Sequence, residues 1–192
     1  RSYGSAAEAC RVAPRAGLGR GGRSVLVDLR DNPGGYLTAA RTIASQFSAG
    51  GPLFWEESAD GTQVATDASP GGLATDPGIR VMVLVNKGSA SASEIVSGAL
   101  QDSKRGMLVG ETTFGKGTVQ QWVDLTDNSG GFRLTIAKWL TPAKRWIHTK
   151  GLTPDGAGAA NVGATTPAGD PDSDRGLQSG RGAGQERGEE TG

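Results

Sequence analysis

The sequence predicts an α/β domain: a mixed β-sheet with flanking helices, closed by a β-ribbon toward the C-terminal end. Three observations predict it. Short β-branched runs alternate with stretches whose apolar residues recur every three or four positions. Clusters of Gly, Pro, Asn and Asp punctuate each junction. After the last helical stretch, two alternating segments flank Asp127-Asn128-Ser129-Gly130, the pattern of paired antiparallel strands.

The elements follow in order. Ser24–Leu29 is a short apolar strand closed by the turn Asp31-Asn32-Pro33-Gly34-Gly35. Leu37, Ala40, Ile43, Ala44 and Phe47 then keep helical spacing until Gly50-Gly51-Pro52 ends the helix. Leu53–Trp55 and Gln63–Ala65 make a hairpin around Asp60-Gly61. A loop, Thr66–Gly78, leads to a second buried strand, Arg80–Val85. Asn86-Lys87-Gly88 opens a helix from about Ser91 to Ser103, followed by the strand Met107–Val109. Thr118–Leu125 and Gly131–Leu140 form the ribbon.

Composition divides the chain into residues 1–22, 23–155 and 156–192. The first segment is weakly structured and basic, with Ala6–Ala13 as a short helix interrupted by Pro14. The last holds ten glycines and only Val162 and Leu177 as large apolar residues, too little to offset a backbone ordering cost of roughly 1–2 kcal/mol per residue. It reads as a disordered tail. Twenty basic residues balance twenty acidic ones, which argues against nucleic acid as a partner. The longest apolar run, Val81–Val85, is far short of the ~20 residues that span a bilayer. A single cysteine, Cys10, excludes a disulfide framework or a multi-cysteine zinc site.

Three segments can carry chemistry. Gly88-Ser89-Ala90-Ser91-Ala92-Ser93-Glu94 passes from strand into helix, where a serine oxygen lies near unpaired N–H groups able to stabilise negative charge. Ser91 and Glu94 also fit a capping box, a purely structural use, and spacing does not choose among the three serines. Gly110–Thr118 nearly matches a phosphate-binding loop. Gly117 replaces the magnesium-binding hydroxyl, however, and a strand rather than a helix follows, so the phosphate would lack its dipole partner. The paired glycines Gly34-Gly35 serve a tight turn or present N–H groups to a ligand oxygen. His148, the only histidine, has alternating apolar neighbours and reads as a strand-edge residue rather than a triad member or a metal ligand.

Taken together, Val27-Asp-Leu-Arg-Asp-Asn-Pro-Gly-Gly35, Val85-Asn-Lys-Gly-Ser-Ala-Ser-Ala-Ser-Glu-Ile95, Gly98-Ala-Leu-Gln-Asp102 and Val109-Gly-Glu-Thr-Thr-Phe-Gly-Lys-Gly-Thr-Val-Gln120 resemble the carboxyl-terminal processing, or tail-specific, proteases. Leu134-Thr-Ile-Ala-Lys-Trp-Leu-Thr-Pro142 and Lys150-Gly-Leu-Thr-Pro-Asp155 continue the likeness, which covers about Ser24 to Asp155. Residues 1–22 do not resemble the peptide-binding PDZ domain that usually precedes this core.

The resemblance implies a Clp protease/crotonase-like core and a serine endopeptidase that cuts protein or peptide substrates near an apolar C-terminus, with no metal or other cofactor. It makes Ser91 the nucleophile, Lys116 the general base 25 residues later, and Gln120 the residue that orients the lysine. Backbone N–H groups of Ala92 and of Gly34 or Gly35 would form the oxyanion hole, with Asp102 in support. A lysine accepts a serine proton only as the neutral amine, and burial is what lowers an amine from its usual pKa of about 10.4. Phe114 is the expected apolar cover. The family also implies an extracytoplasmic location, periplasmic or secreted, and leaves room for a homo-oligomer. A proteolytically silent core that holds peptides or partners is the alternative from a different functional class.

Overall fold

The structure, a computed structural model, describes residues 23–126 and 129–157. Its elements are β1 (Ser24–Asp28), α1 (Leu37–Ala44), β2 (Pro52–Glu57), β3 (Gln63–Asp67), β4 (Arg80–Val85), α2 (Ala92–Asp102), β5 (Met107–Gly110), β6 (Thr118–Asp124), β7 (Gly131–Leu140) and β8 (Gly156–Ala157). The expected α/β class holds, but the single mixed sheet does not. Strands β1-β4-β5-β8 form an all-parallel sheet, and β3-β2-β7-β6 a separate antiparallel one. The division follows from one long-range pairing. Trp55, Glu56 and Glu57 of β2 align with Leu140, Trp139 and Lys138 of β7, so the hairpin and the ribbon merge into one sheet.

Helix α2 is the hinge of this arrangement. Every residue from Ala92 to Leu100 is buried, and the helix touches both β5 and β2. Its sequence explains why: from Ala92 to Leu100 only Glu94 is charged, so no face suits water. Ile95, Val96 and Leu100 pack with Val81, Val83 and Val85 of β4 and Leu108 of β5. Each such side chain contributes about 1.5–3 kcal/mol by leaving water. Helix α1 leans on α2 through buried Ala40 and Ala44. It ends earlier than its apolar spacing suggests: the Gln46 and Phe47 N–H groups bond three residues back, to Ile43 and Ala44, and the Ser45 hydroxyl accepts the Ser69 N–H. Phe47 still reaches the core from the turn beyond it.

Strand β4, expected to be a buried strand, alternates instead. Leu26, Met82 and Met107 stand in register across β1, β4 and β5, exposed at 60%, 42% and 54%. Parallel sheets are normally covered on both faces; among the described residues only one face is.

Gly156 and Ala157, assigned to the tail by composition, instead pair with Val109 and Gly110 as β8. The segment leading there is pinned by Asp155, whose carboxyl accepts the Leu108 N–H and a Gln101 side-chain N–H. The rest of the tail, residues 1–22 and the Asp127-Asn128 half of the ribbon turn lie outside the described residues. No described helix is long and apolar enough to cross a membrane.

Candidate active site

In a parallel sheet the loops after the strands gather at one end, and the three segments singled out by sequence all emerge there. The turn after β1 and the turn after β4 are stitched together. The Asn86 side chain accepts the N–H groups of Asp31 and Gly88 and donates to the Asp31 carboxyl. The Ala90 N–H donates to the Asn32 carbonyl at 3.0 Å. A Cβ on Gly34 (φ +92°) would lie 2.5 Å from the Ala90 carbonyl oxygen, 2.7 Å from Ala92 N and 2.9 Å from Ser91 Cβ. Glycine is required there on both counts.

The structure separates the three serines. Ser89 is fully buried, and its hydroxyl donates to the Leu29 carbonyl at 2.7 Å while accepting the Asn86 N–H, so it fastens the turn. Ser93 is buried inside the first turn of α2. Ser91, half-buried, is the N-cap of α2 and adopts φ 55°, ψ −117°. A non-glycine residue rarely holds such a conformation without a surrounding structure that imposes it.

What imposes it is Glu94. This fully buried carboxyl group accepts four hydrogen bonds. Oε2 takes the N–H groups of Ser91 (2.8 Å) and Lys116 (2.9 Å). Oε1 takes the Gly115 N–H (2.6 Å) and the Thr113 hydroxyl (2.5 Å). The Ser-x-x-Glu pattern thus does more than cap a helix: it binds the serine turn to the lysine loop. A sequence signal for this lies in the stretch Ala92–Leu100, where Glu94 is the one charged residue among apolar and small neighbours, and a buried acid needs donors.

The lysine loop is fixed atom by atom. The Lys116 carbonyl accepts the Trp139 indole N–H at 2.8 Å, and the Gly117 carbonyl accepts the Trp139 main-chain and Trp146 indole N–H groups. Phe114 N–H donates to the Ser89 carbonyl, and Thr149 N–H to that of Gly115. Gly117 N–H donates to His148 Nδ1 at 3.3 Å. His148 therefore sits in a turn under the lysine loop, stacked on Trp146, rather than at a strand edge. The loop continues into strand β6, as expected, and not into a helix. Among the described residues, no hydrogen bond or ion pair engages the Lys116 amine.

The other expected residues fall in varied places. Gly34 N–H donates to the Asn32 side chain at 3.0 Å. Among the described residues, the N–H groups of Gly35 and Ala92 have no acceptor. Phe114 does not cover the lysine; it is 64% exposed. Gln120 is exposed on β6, just past the irregularity between Val119 and Gln120, with no side-chain hydrogen bond among the described residues. Asp102 lies at the far end of α2, about 16 Å of helix from Ser91 at about 1.5 Å per residue. There it pairs with Arg145 at 2.5 Å and accepts the Ala143 N–H, holding the Pro142–Lys144 turn. The described residues contain no cluster of three or more metal-ligating side chains.

Known proteins share this arrangement. The model of peptidase family S41 matches residues 7–157. A carboxyl-terminal-processing protease of Synechocystis is 44% identical over 136 residues, 71% of this chain and 31% of that protein. The carboxy-terminal processing protease CtpA of Bacillus subtilis is 42% identical over 70% of this chain and 28% of its own length. The solved photosystem II D1 C-terminal processing protease superposes with a TM-score of 0.74 at 35% identity, over 84% of this chain and 41% of that one. The chain spans under a third of the length of these curated relatives. With the motifs in order, the two sheets in place and a family match over most of its length, the chain belongs to peptidase family S41.

Proposed function

We propose that this chain is the core of a serine endopeptidase of the carboxyl-terminal processing type, built on a Clp protease/crotonase-like framework and working by a Ser91/Lys116 dyad. The observation that carries the reading is the shared Glu94 oxygen, which brings the main chains at Ser91 and Lys116 together while leaving the lysine amine unengaged. Lys116 accepts the Ser91 hydroxyl proton as Oγ bonds to the scissile carbonyl carbon. The carbon–nitrogen bond then breaks, and the leaving amine departs with that proton. Water adds to the acyl-enzyme, its proton passing to Lys116, and Ser91 Oγ leaves with a proton returned from the lysine.

The developing oxyanion is received by the N–H groups of Ala92 and Gly35. Gly34 contributes by its lack of a side chain, because its own N–H is held by Asn32. Losing one such donor typically costs about 2.7–4 kcal/mol in the transition state. Gln120 enters as the residue that orients the lysine, and Asp102 as a structural support. The substrates are protein or peptide chains with apolar C-termini, in an extracytoplasmic setting.

A serine-reactive phosphonate tests the dyad. Wild-type protein is expected to be labelled at Ser91 with a rate that rises with pH, and Lys116→Ala to lose that rate. Ser91→Ala is expected to abolish both labelling and cleavage of an unstructured substrate with an apolar tail. Cleavage that survives either substitution overturns the dyad. Peptide binding without labelling replaces the protease with a silent binding core.

A further inference from the structure

Two aromatic rings stand out of the protein at the site itself. Tyr36, 67% exposed, follows directly on Gly34-Gly35, and Phe114, 64% exposed, lies two residues before Lys116. They are more exposed than any other aromatic among the described residues. Large rings left in water at one place mark a contact surface more often than a folding requirement.

The backbone under both rings is held firmly. Phe114 N–H is bonded to the Ser89 carbonyl, and the next two N–H groups go to Glu94. Before Tyr36, Gly34 is fixed by Asn32 and abuts the Ser91 turn, and Tyr36 itself is the N-cap of α1. Neither ring therefore rides on a loose loop. Both rings are carried on hydrogen-bonded backbone adjoining the Ser91 turn, and both are largely exposed. A site on fixed elements loses little conformational entropy when it binds.

Resting on the dyad reading, we infer that Tyr36 and Phe114 are the specificity-determining residues of this site, and that they receive apolar side chains of an extended polypeptide substrate close to the bond to be cut. One ring belongs to the loop that supplies the oxyanion donors, the other to the loop that supplies the base. A chain lying across Ser91 with its carbonyl toward Gly35 and Ala92 meets both loops. Aromatic faces bind aliphatic and aromatic side chains through buried area and offer no partner to a carboxylate, so acidic residues near the scissile bond are disfavoured.

The test uses quenched-fluorescent peptides identical except for Leu, Ser or Asp at the residues flanking the scissile bond. In the full chain, Tyr36→Ala and Phe114→Ala are each expected to lower kcat/KM for the Leu peptide about tenfold or more, the range typical of a lost apolar contact. Most of the loss should appear in KM, and the preference for Leu over Ser should shrink. Phe114→Leu and Tyr36→Phe should restore most of it, while Trp122→Ala, an exposed ring on β6, should change nothing. A second arm measures anisotropy of the labelled Leu peptide on Ser91→Ala protein, where the two alanine substitutions should weaken binding to the same extent. Unchanged Leu-over-Ser preference and unchanged peptide affinity overturn the assignment. Failure of phosphonate labelling in wild type with the binding differences intact removes the dyad and leaves the apolar subsite standing.

Discussion

Ser91 and Lys116 donate their main-chain N–H groups to the same atom, Glu94 Oε2, at 2.8 and 2.9 Å. The serine turn and the lysine loop thus meet on one buried carboxylate oxygen, beside the Phe114–Ser89 main-chain bond that also joins them.

Removing that carboxylate is expected to damage both loops at once. Glu94→Ala strands three N–H groups and a hydroxyl, and hydrogen bonds to a charged group are worth about 1.5–3 kcal/mol each, with partial relaxation on loss. A destabilisation of roughly 3–5 kcal/mol should appear in urea unfolding, the size seen when a buried polar network is broken. Glu94→Gln, which keeps the shape but turns one acceptor into a donor, should fall between wild type and alanine. A loss below about 1 kcal/mol for Glu94→Ala, the scale of one net hydrogen bond, contradicts this role.

Gly34→Ala should be far worse than an equivalent change elsewhere. Gly61 has a similar positive φ, +83°, with nothing within 4 Å of the added methyl, so it reports the conformational cost alone, about 1–2 kcal/mol. At Gly34 the methyl also meets backbone at 2.5 and 2.7 Å, so the Ser91 turn must move. Phosphonate labelling should drop at least tenfold in Gly34→Ala and stay at the wild-type rate in Gly61→Ala.

Strain at Ser91 makes a prediction of the opposite sign. Its φ of 55° suits glycine better than any residue with a Cβ. Thermal unfolding should therefore rank Ser91→Gly above Ser91→Ala by about 1 kcal/mol. Equal stability of the two removes the argument that the turn holds Ser91 in a costly conformation.

Acid should reveal a smaller effect. The Arg30 side chain, bonded to both oxygens of Asp28, holds that carboxyl below its ordinary value of 3.8, against a weaker opposing push from burial. The unfolded chain takes up this proton first. The pair therefore contributes fully above the unfolded value and loses its contribution as pH falls through the folded one. Both side chains are partly exposed and solvent screens the pair, so Arg30→Ala should lower stability only slightly at pH 7. The difference should shrink below pH ~4, near the ordinary carboxylate range, and in high salt. A difference that grows in acid reverses the sign and refutes the account.

Local sequence pattern accounts for much of this fold. Arg80–Val85 and Gly131–Leu140 have the bounds their residues suggest, because the first is a valine-rich run, the second alternates, and both are ended by turn formers. The separation into two sheets was not legible, since it depends on Trp55 meeting Leu140 and no local residue encodes that encounter. Ordered motifs brought Ser91, Lys116 and the paired glycines to one end of the sheet. They did not foretell that Gly34 N–H is already taken, because Asn32 serves equally well as a turn former or as an acceptor. Phe114 misled for the opposite reason: an apolar ring in a loop looks like cover, and here it faces water.

The lysine loop has one more implication. From Thr113 to Gly117 its main chain is already spoken for by Glu94, Trp139, Trp146, His148 and the neighbouring carbonyls. Control of such a centre by ordering and disordering the loop would require breaking that whole set together. Among the described groups of this loop the Lys116 amine stands outside that set, so a change of its side-chain torsions leaves the main-chain bonds of the loop in place.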